Sequence, residues 1–279
     1  MAFNISHHAF YLVKGINSAK TFNQESYTPQ NQSTTAQPHL SNHQPITVLM
    51  MGTDTGAIGR HFRGRTDTMM LNTINPDKHT MTLTSIPRDA PAHYNNMLTK
   101  INSVYTLGGA NQAAHYVQSW LGVPVNYYML INMGGLDKII DQVGGVTVNP
   151  PLTFKYGAAN VKKHQQVTLN GMQALDYCRM RHQDPLGDYG RQIRQRQVLF
   201  QLFDKVSKIH NLALHPSLAN ALSDNMKTNL SAKDMMTLAL FYRKANLHHV
   251  SSHLQGHTAQ INGQDFEVVS PQKRLKKLA

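Results

Sequence analysis

Along most of this chain the apolar positions recur with one of two periods, and the two periods take turns. ITVLMMG, opening at Ile46, is an almost continuous apolar run closed by Gly52, and it predicts a buried strand. TDTMMLNTINP, 66–76, has strand character and stops at Pro76. HTMTLTSIPRD, 79–89, sets Met81, Leu83 and Ser85 against Thr82, Thr84 and Ile86, which predicts a further strand. Asn75-Pro76-Asp77 is the turn between them. From Ala110 to Leu121 the period lengthens to that of a helix, which Gly122 and Pro124 stop. NYYMLINM, 126–133, predicts a strand, LDKIIDQV, 136–143, a helix ended by Gly144-Gly145, and VTV, 146–148, another strand. Alternating strand and helix argues for an α/β fold, a sheet with helices on its faces.

Segment 150–170 shows neither period and reads as irregular. LNGMQALDY then opens a helix, with Asn170 as N-cap and Gln173 three residues later, a variant of the capping box. Helical patterns follow at 190–210, 215–226 and 231–245, and 247–269 has room for two short strands. Residues 28–45 are polar and poor in apolar side chains, as a linker is. The expected organisation is a leading segment and linker over 1–45, one domain over 46–270, and a basic, unstructured tail over 271–279. No internal repeat and no heptad seam is visible.

Composition narrows the partners. The 279 residues carry a formal net charge of +12, which favours an anionic partner such as nucleic acid, an anionic membrane face or a phosphate-rich substrate. A single cysteine, Cys178, excludes an intrachain disulfide and reads as a small packing residue. No apolar run is long enough for a membrane span.

The positive charge has a focus. CRMRHQDPLGDYGRQIRQRQ, 178–197, holds Arg179, Arg181, Arg191, Arg194 and Arg196 and no lysine. Arginine presents a rigid fork of donors that matches the oxygens of phosphate and carboxylate. The helix beginning near Tyr189 buries Val198, Leu199, Leu202, Val206 and Ile209, and the same stripe traced backwards meets Arg191, Arg194 and Gln195. Charges facing inward are costly unless paired; the plainer alternative is that the stripe emerges into solvent at its first turn. If the chain becomes extended near Tyr177, Arg179 and Arg181 share one face and converge with Arg191 and Gln195. Asp184 and Asp188 then orient the arginines. Guanidinium groups cannot shed their protons, so gathered together they repel unless an anion of more than one charge binds them.

A second zone carries carboxylates. Asp54 follows the first buried strand and precedes a glycine-rich loop, and Asp67, beside Arg65, opens the next strand. Aspartates at strand ends suit a hard divalent cation; the competing reading is ordinary loop turns capped by Asp. Arg88 and Asp89 stand at another strand end, where ligands gather in open α/β sheets. Lys100, Asn102 and Ser103 add polar groups just before a helix. The glycine-rich loop lacks the spacing of a P-loop.

Taken in order, VLMMGTD, GRTDTMML, LTSIPRD, KINSVYTLGG, INMGGLDKIIDQVGGVTV, LNGMQALDYCRMR and DYGRQIRQRQ resemble the LytR–CpsA–Psr (LCP) family of cell-wall glycopolymer transferases, over about residues 46–245. The resemblance implies a central mixed β-sheet flanked by helices, with an apolar pocket for a polyprenyl tail. It implies transfer of a glycopolymer, such as a teichoic acid or capsular polysaccharide, from an undecaprenyl-pyrophosphate carrier to a peptidoglycan hydroxyl, leaving a phosphodiester. It implies Mg²⁺, with Mn²⁺ as the alternative, held by Asp54 and Asp67. Arg65, Arg88, Arg179, Arg181 and Arg191 match the pyrophosphate-binding arginines, and Asp188 and Gln195 match further active-site positions. Asp67, Arg88, Asp89 and Arg181 are the expected catalytic set, with Asp67 or Asp89 as proton acceptor. Arg60 and Arg63 in the loop between the aspartates are candidates for a substrate phosphate, and Arg194 and Arg196 are left unassigned. Family members have an N-terminal membrane anchor and work on the extracellular face of the Gram-positive cell membrane. Here the anchor is absent and the opening residues resemble a juxtamembrane remainder.

Three other readings use the same residues. A DNA-binding regulator would account for the charge, but no helix-turn-helix, zinc knuckle or aromatic RNA-binding sheet is visible, and acidic residues within the basic site suit a metal better than a nucleic-acid backbone. The partner expectation is therefore without nucleic acid. A scaffold would bind the lipid-linked polymer without transferring it, and a pyrophosphatase would only hydrolyse the carrier.

Overall fold

The apolar run at Ile46 is a strand buried along its whole length apart from Thr47, which is how a strand covered on both faces reads. The computed structural model describes residues 23–24, 40, 44–54, 64–209, 215–242 and 248–278. Its strands are β1 (Asn23–Gln24), β2 (Ile46–Thr53), β3 (Thr66–Asn75), β4 (Thr80–Ser85), β5 (Pro91–Tyr94), β6 (Met97–Lys100), β7 (Tyr127–Asn132), β8 (Val146–Val148), β9 (Phe154–Tyr156), β10 (Ala159–Val161), β11 (Val167–Leu169), β12 (Met226–Thr228), β13 (His248–His253), β14 (His257–Ile261) and β15 (Gln264–Val268). Its helices are α1 (Ser103–Leu121), α2 (Met133–Gln142), α3 (Gly171–Arg179), α4 (Asp188–Ser207), α5 (Pro216–Asn225), α6 (Ala232–Phe241) and α7 (Pro271–Leu278). No helix of the described residues is long and apolar enough to cross a membrane.

Two units share these elements. Of the described residues, the sheet unit takes those within 24–132, 227–230 and 240–278; the helical unit takes Asn23 and those within 133–226 and 231–239. The sheet order is β1-β12-β7-β2-β3-β4-β13. β2 pairs antiparallel with β3 and parallel with β7, β3 pairs antiparallel with β4, and β4 pairs parallel with β13. The sheet is thus mixed, and the fold is of the expected α/β class. Leu49 and Met51 lie two apart on β2, as do Met69 and Leu71 on β3, so each pair shares a face. Against them in one core lie Ala110, Ala113, Ala114, Val117 and Leu121, the apolar stripe of α1.

Four segments differ from the sequence reading. Helix α1 starts seven residues before Ala110, because non-helical Gly109 (φ 84°, ψ −176°) kinks it and breaks the periodicity. The span 91–100, to which periodicity assigns no element, is a hairpin, β5–β6. Segment 150–170 is not irregular: β9 pairs with β10 and β11 with β8, in strands of three residues that are too short to display alternation. The basic end is a helix rather than an unstructured tail. Arg274 of α7 stacks over Trp120 at 4.5 Å and donates to the Trp120 carbonyl, which anchors it. Burial lowers the Arg274 pKa.

In the helical unit, α2 packs against α3 and α5. The α2–α3 contact is close at Gly171, where a Cβ would overlap the backbone carbonyl of Asp137. A backbone neighbour cannot move aside as a side chain can. Gly171→Ala is expected to cost about 1–3 kcal/mol through overpacking, read as a lower midpoint in urea unfolding with an unchanged slope.

Candidate functional site

The first cluster follows from strand direction. β2 and β4 run the same way and β3 runs opposite. The carboxyl ends of β2 and β4 therefore meet the amino end of β3 at one edge of the sheet. Thr53 opposes Thr66 and Gly52 opposes Thr68, so Asp67 is the extra residue of a bulge, a device that re-aims a side chain. Arg88 Nη1 reaches Asp67 Oδ1 at 2.8 Å, and Arg88 Nε lies 3.6 Å from Asp89 Oδ2. Lys100 Nζ pairs with Asp89 Oδ1 at 2.8 Å, and Asn102 Nδ2 donates to Asp67 Oδ1 at 3.4 Å. The loop after β4 is laced to the end of β6 by Ile101 N–H to Ala90 C=O at 2.8 Å and Asn102 N–H to Arg88 C=O at 3.3 Å. The lacing explains why Lys100 and Asn102, noted in the sequence only as polar neighbours, arrive beside the carboxylates. Asp54 is partly buried just beyond β2. Arg65 is exposed and forms no ion pair among the described residues. Arg60 and Arg63 lie outside the described residues.

Asp54 and Asp67 offer oxygen donors only, as a hard cation requires. Among the described residues no group of three or more His, Cys, Asp or Glu gathers as a metal cage. Two carboxylates are donors of the kind that would hold Mg²⁺.

The second cluster lies in the helical unit and starts from α3. Asn170 and Gln173 form the predicted capping box, with both reciprocal bonds present. The expected change to extended chain near Tyr177 comes later: α3 continues through Arg179, and Met180 (φ −54°, ψ 133°) is the first extended residue. The reason is packing, since Ala174, Leu175, Tyr177 and Cys178 keep a helical stripe buried to that point. Arg179 is half-buried, 3.9 Å from Asp176, and Arg181 is exposed without an ion pair among the described residues.

Helix α4 shows that the arginine stripe does not emerge into solvent. Arg191, Arg194, Gln195 and Arg196 are all buried. Arg191 pairs with Asp188 in the first turn, Nη2 to Oδ1 at 2.8 Å and Nε to the same oxygen at 3.0 Å, while Gln192 donates to Oδ2 at 3.0 Å. Arg194 has no exposed surface. Its guanidinium bonds the Asp184 carboxylate and the carbonyls of Tyr177 and Met180, and faces the rings of Phe154 at 5.4 Å and Tyr177 at 5.9 Å. Asp184 is thus committed to Arg194 and does not orient Arg179 or Arg181. Gly190 permits this pairing, since a Cβ there would overlap the Asp184 carboxylate. Burial lowers Arg196 to about 10 and pushes the Cys178 thiol up to about 12, against the opposing pull of nearby Arg194, Arg191 and Arg179. Cys178 is the packing residue expected.

The structure thus gathers Asp67, Arg88 and Asp89 in the sheet unit and Asp188 with Arg191 in the helical unit. The structural role of Arg194 escaped sequence reasoning. Its one signal was position, an arginine in line with an apolar stripe and ten residues from an aspartate.

Comparison with known proteins adds an independent finding. A family model described as the LytR_cpsA_psr family matches residues 10–278. A polyisoprenyl-teichoic acid–peptidoglycan teichoic acid transferase TagU of Enterococcus faecalis is 38% identical over 251 residues, covering 89% of this chain and 82% of that protein. The crystal structure of Bacillus subtilis TagU superposes with a TM-score of 0.67 at 32% identity, covering 84% of this chain and 95% of that one. A structure of TagT bound to LIIa-WTA superposes with a TM-score of 0.73 at 25% identity, covering 91% of this chain and 96% of that one.

Removing the Arg194 head group would leave Asp184 buried without its partner. Arg194→Ala is expected to cost about 3–5 kcal/mol in urea unfolding, and Arg194→Lys to recover little, because an ammonium cannot span the same carbonyls and carboxylate. A thiol raised to about 12 carries almost no thiolate at pH 8. Cys178 is therefore expected to resist iodoacetamide at pH 8 in the folded protein and to label fully in urea.

Proposed function

Because this chain belongs to the LytR–CpsA–Psr family, we propose that it transfers a polyprenyl-pyrophosphate-linked glycopolymer to a peptidoglycan hydroxyl in cell-wall assembly. The observation that supports this reading most directly is the pairing of arginines with carboxylates in each unit. Arg65 and Arg181 are exposed and form no ion pair among the described residues, so their donor forks can meet phosphate oxygens.

Phosphoryl transfer asks a protein for positioning and charge stabilisation more than for covalent chemistry. In this proposal Arg179, Arg181, Arg191 and Gln195 bind pyrophosphate oxygens in the helical unit, with Asp188 holding the Arg191 fork in place. In the sheet unit Arg88 and Arg65 bind phosphate oxygens, and Asp67 and Asp54 hold Mg²⁺. The metal, when bound, supplies Lewis-acid polarisation of a phosphoryl oxygen. The acceptor hydroxyl attacks the sugar-linked phosphorus. A new P–O bond forms, the bond to the bridging oxygen breaks, and polyprenyl phosphate leaves. The hydroxyl proton passes to a carboxylate. Asp67 and Asp89 are each ion-paired, to Arg88 and to Lys100, and their roles are separated by testing each as Asn. The acceptor and carrier put this work in the cell envelope, on the outer face of the membrane.

The test is transfer of a short glycan from a polyprenyl-pyrophosphate donor to peptidoglycan oligomers. Covalently attached product is expected with Mg²⁺ and none with chelator. Arg181→Ala is expected to lower kcat/KM by about 10²–10³-fold with no change in unfolding midpoint, since the side chain is exposed. Release of free phosphorylated glycan alone would replace transfer with hydrolysis, and donor binding without turnover would leave a scaffold.

A further inference from the structure

The last two strands of the sheet unit reach its charged cluster. β14 and β15 form an antiparallel hairpin closed by Asn262 and Gly263, both at positive φ (51° and 75°), the two-residue turn whose twist suits a hairpin. The hairpin is tied to the loop that follows β4. Leu254 N–H donates to the Ser85 carbonyl at 2.9 Å, and Glu267 N–H donates to the Asp89 carbonyl at 3.0 Å. Glu267 Oε1 accepts from Gly256 N–H at 3.0 Å, which closes the open end of the hairpin. Leu254 and Val269, one on each side of it in the chain, are buried in the core that holds α1. Residues 85–90 are therefore laced to the C-terminal strands as well as to 101–102.

Within β15 only Phe266 is buried. Lys100 Nζ lies over its ring, 5.9 Å from the centroid and within cation–π range, and 2.8 Å from Asp89 Oδ1. Among the described residues the ring and the carboxylate are the two groups that hold this ammonium. The Lys100 side chain is 25% exposed and that of Asp89 37%. A partly exposed ion pair holds a long, flexible lysine weakly, whereas a ring face attracts a cation more strongly the less water reaches it. Lys100 on Oδ1 and Arg88 Nε, 3.6 Å from Oδ2, face the two oxygens of Asp89. Which way that carboxylate turns depends on both cations, and Phe266 holds one of them.

We propose that Phe266 is a positioning residue for the transfer: it holds the Lys100 ammonium, the ammonium orients the Asp89 carboxylate, and the C-terminal hairpin is thereby part of the reacting apparatus rather than a cover on the sheet. Phe266 acts through Lys100 and touches no reacting atom. The inference rests on the transferase reading for the work of Asp89, but the hold on Lys100 can be measured without turnover. A ring that only filled space could be replaced by an aliphatic side chain without consequence for Lys100. A ring that holds the cation by its face could not.

The experiment compares intact protein with Phe266→Leu, Phe266→Tyr, Lys100→Met and the double variant Phe266→Leu/Lys100→Met, each first shown to be folded by its urea unfolding curve; Phe266→Met replaces Phe266→Leu should the latter not fold. Without substrate, the rate of acetylation of Lys100 by acetic anhydride is read by mass spectrometry against Lys273, which is exposed. Phe266→Leu is expected to raise the Lys100 rate about fivefold relative to Lys273, as fits loss of one cation–π contact, and Phe266→Tyr to leave it unchanged. With donor and acceptor present, Phe266→Leu is expected to lower kcat about fivefold at unchanged KM for the donor, and Phe266→Tyr to retain kcat. In the Lys100→Met background, adding Phe266→Leu is expected to have no further effect. An unchanged Lys100 rate in Phe266→Leu, an equal loss in Phe266→Tyr, a loss of kcat that persists in the Lys100→Met background, or a loss carried by KM alone would each overturn the positioning role. Absence of turnover in the intact protein would instead remove the transferase reading, while acetylation would still decide whether Phe266 holds Lys100.

Discussion

The buried guanidinium of Arg194 is the constraint on which the helical unit depends. A cation without exposed surface must be paired and fully hydrogen-bonded, or it costs several kcal/mol. Arg194 meets the demand by drawing partners from four places: the last turn of α3, the first extended residue after it, the aspartate of the following loop, and the ring of Phe154 on β9. Each partner is thereby fixed relative to α4. Where α3 ends, how the Arg179–Arg181 pair leaves it and where the β9–β10 hairpin stands are consequences of satisfying one charge. Arg181 is then free to remain exposed because another arginine does the organising.

The sheet unit solves a related problem with strand geometry. A carboxylate at the end of an antiparallel pair would ordinarily sit on whichever face the pleat assigns. The bulge at Asp67 suspends that alternation for one residue. Arg88, arriving from β4 on the neighbouring strand, then meets Asp67, and Lys100 and Asn102 arrive through the backbone lacing of 86–90 to 101–102. The cluster alternates charge, with Lys100, Asp89, Arg88 and Asp67 in series. Each charge in the chain thereby stands beside an opposite one.

Much of this was legible in the residues. Periodicity placed β2, β3, β7, α2 and α3 to within a few residues, because long buried stripes are a direct record of which side faces the core. The capping box at Asn170 was readable because its two bonds are local. The hairpins β5–β6 and β9–β10 were not, because their strands are too short to show a period. The early start of α1 was hidden by Gly109, whose positive φ interrupts the stripe without ending the helix.

The division for the candidate site follows the range of the forces involved. Sequence alone determined its chemistry: which residues carry permanent charge, that arginine was chosen over lysine at 178–197, and that aspartates stand at strand ends. Only tertiary structure decided the pairing. Asp184 lay as near in sequence to Arg181 as any acid, yet it belongs to Arg194, because burial made the unpaired alternative too costly. Asp67 and Arg88 are 21 residues apart and meet through sheet register. Local patterns record what a residue is and which way its element turns. Partners across long loops are settled by packing and desolvation, which act on the folded chain as a whole.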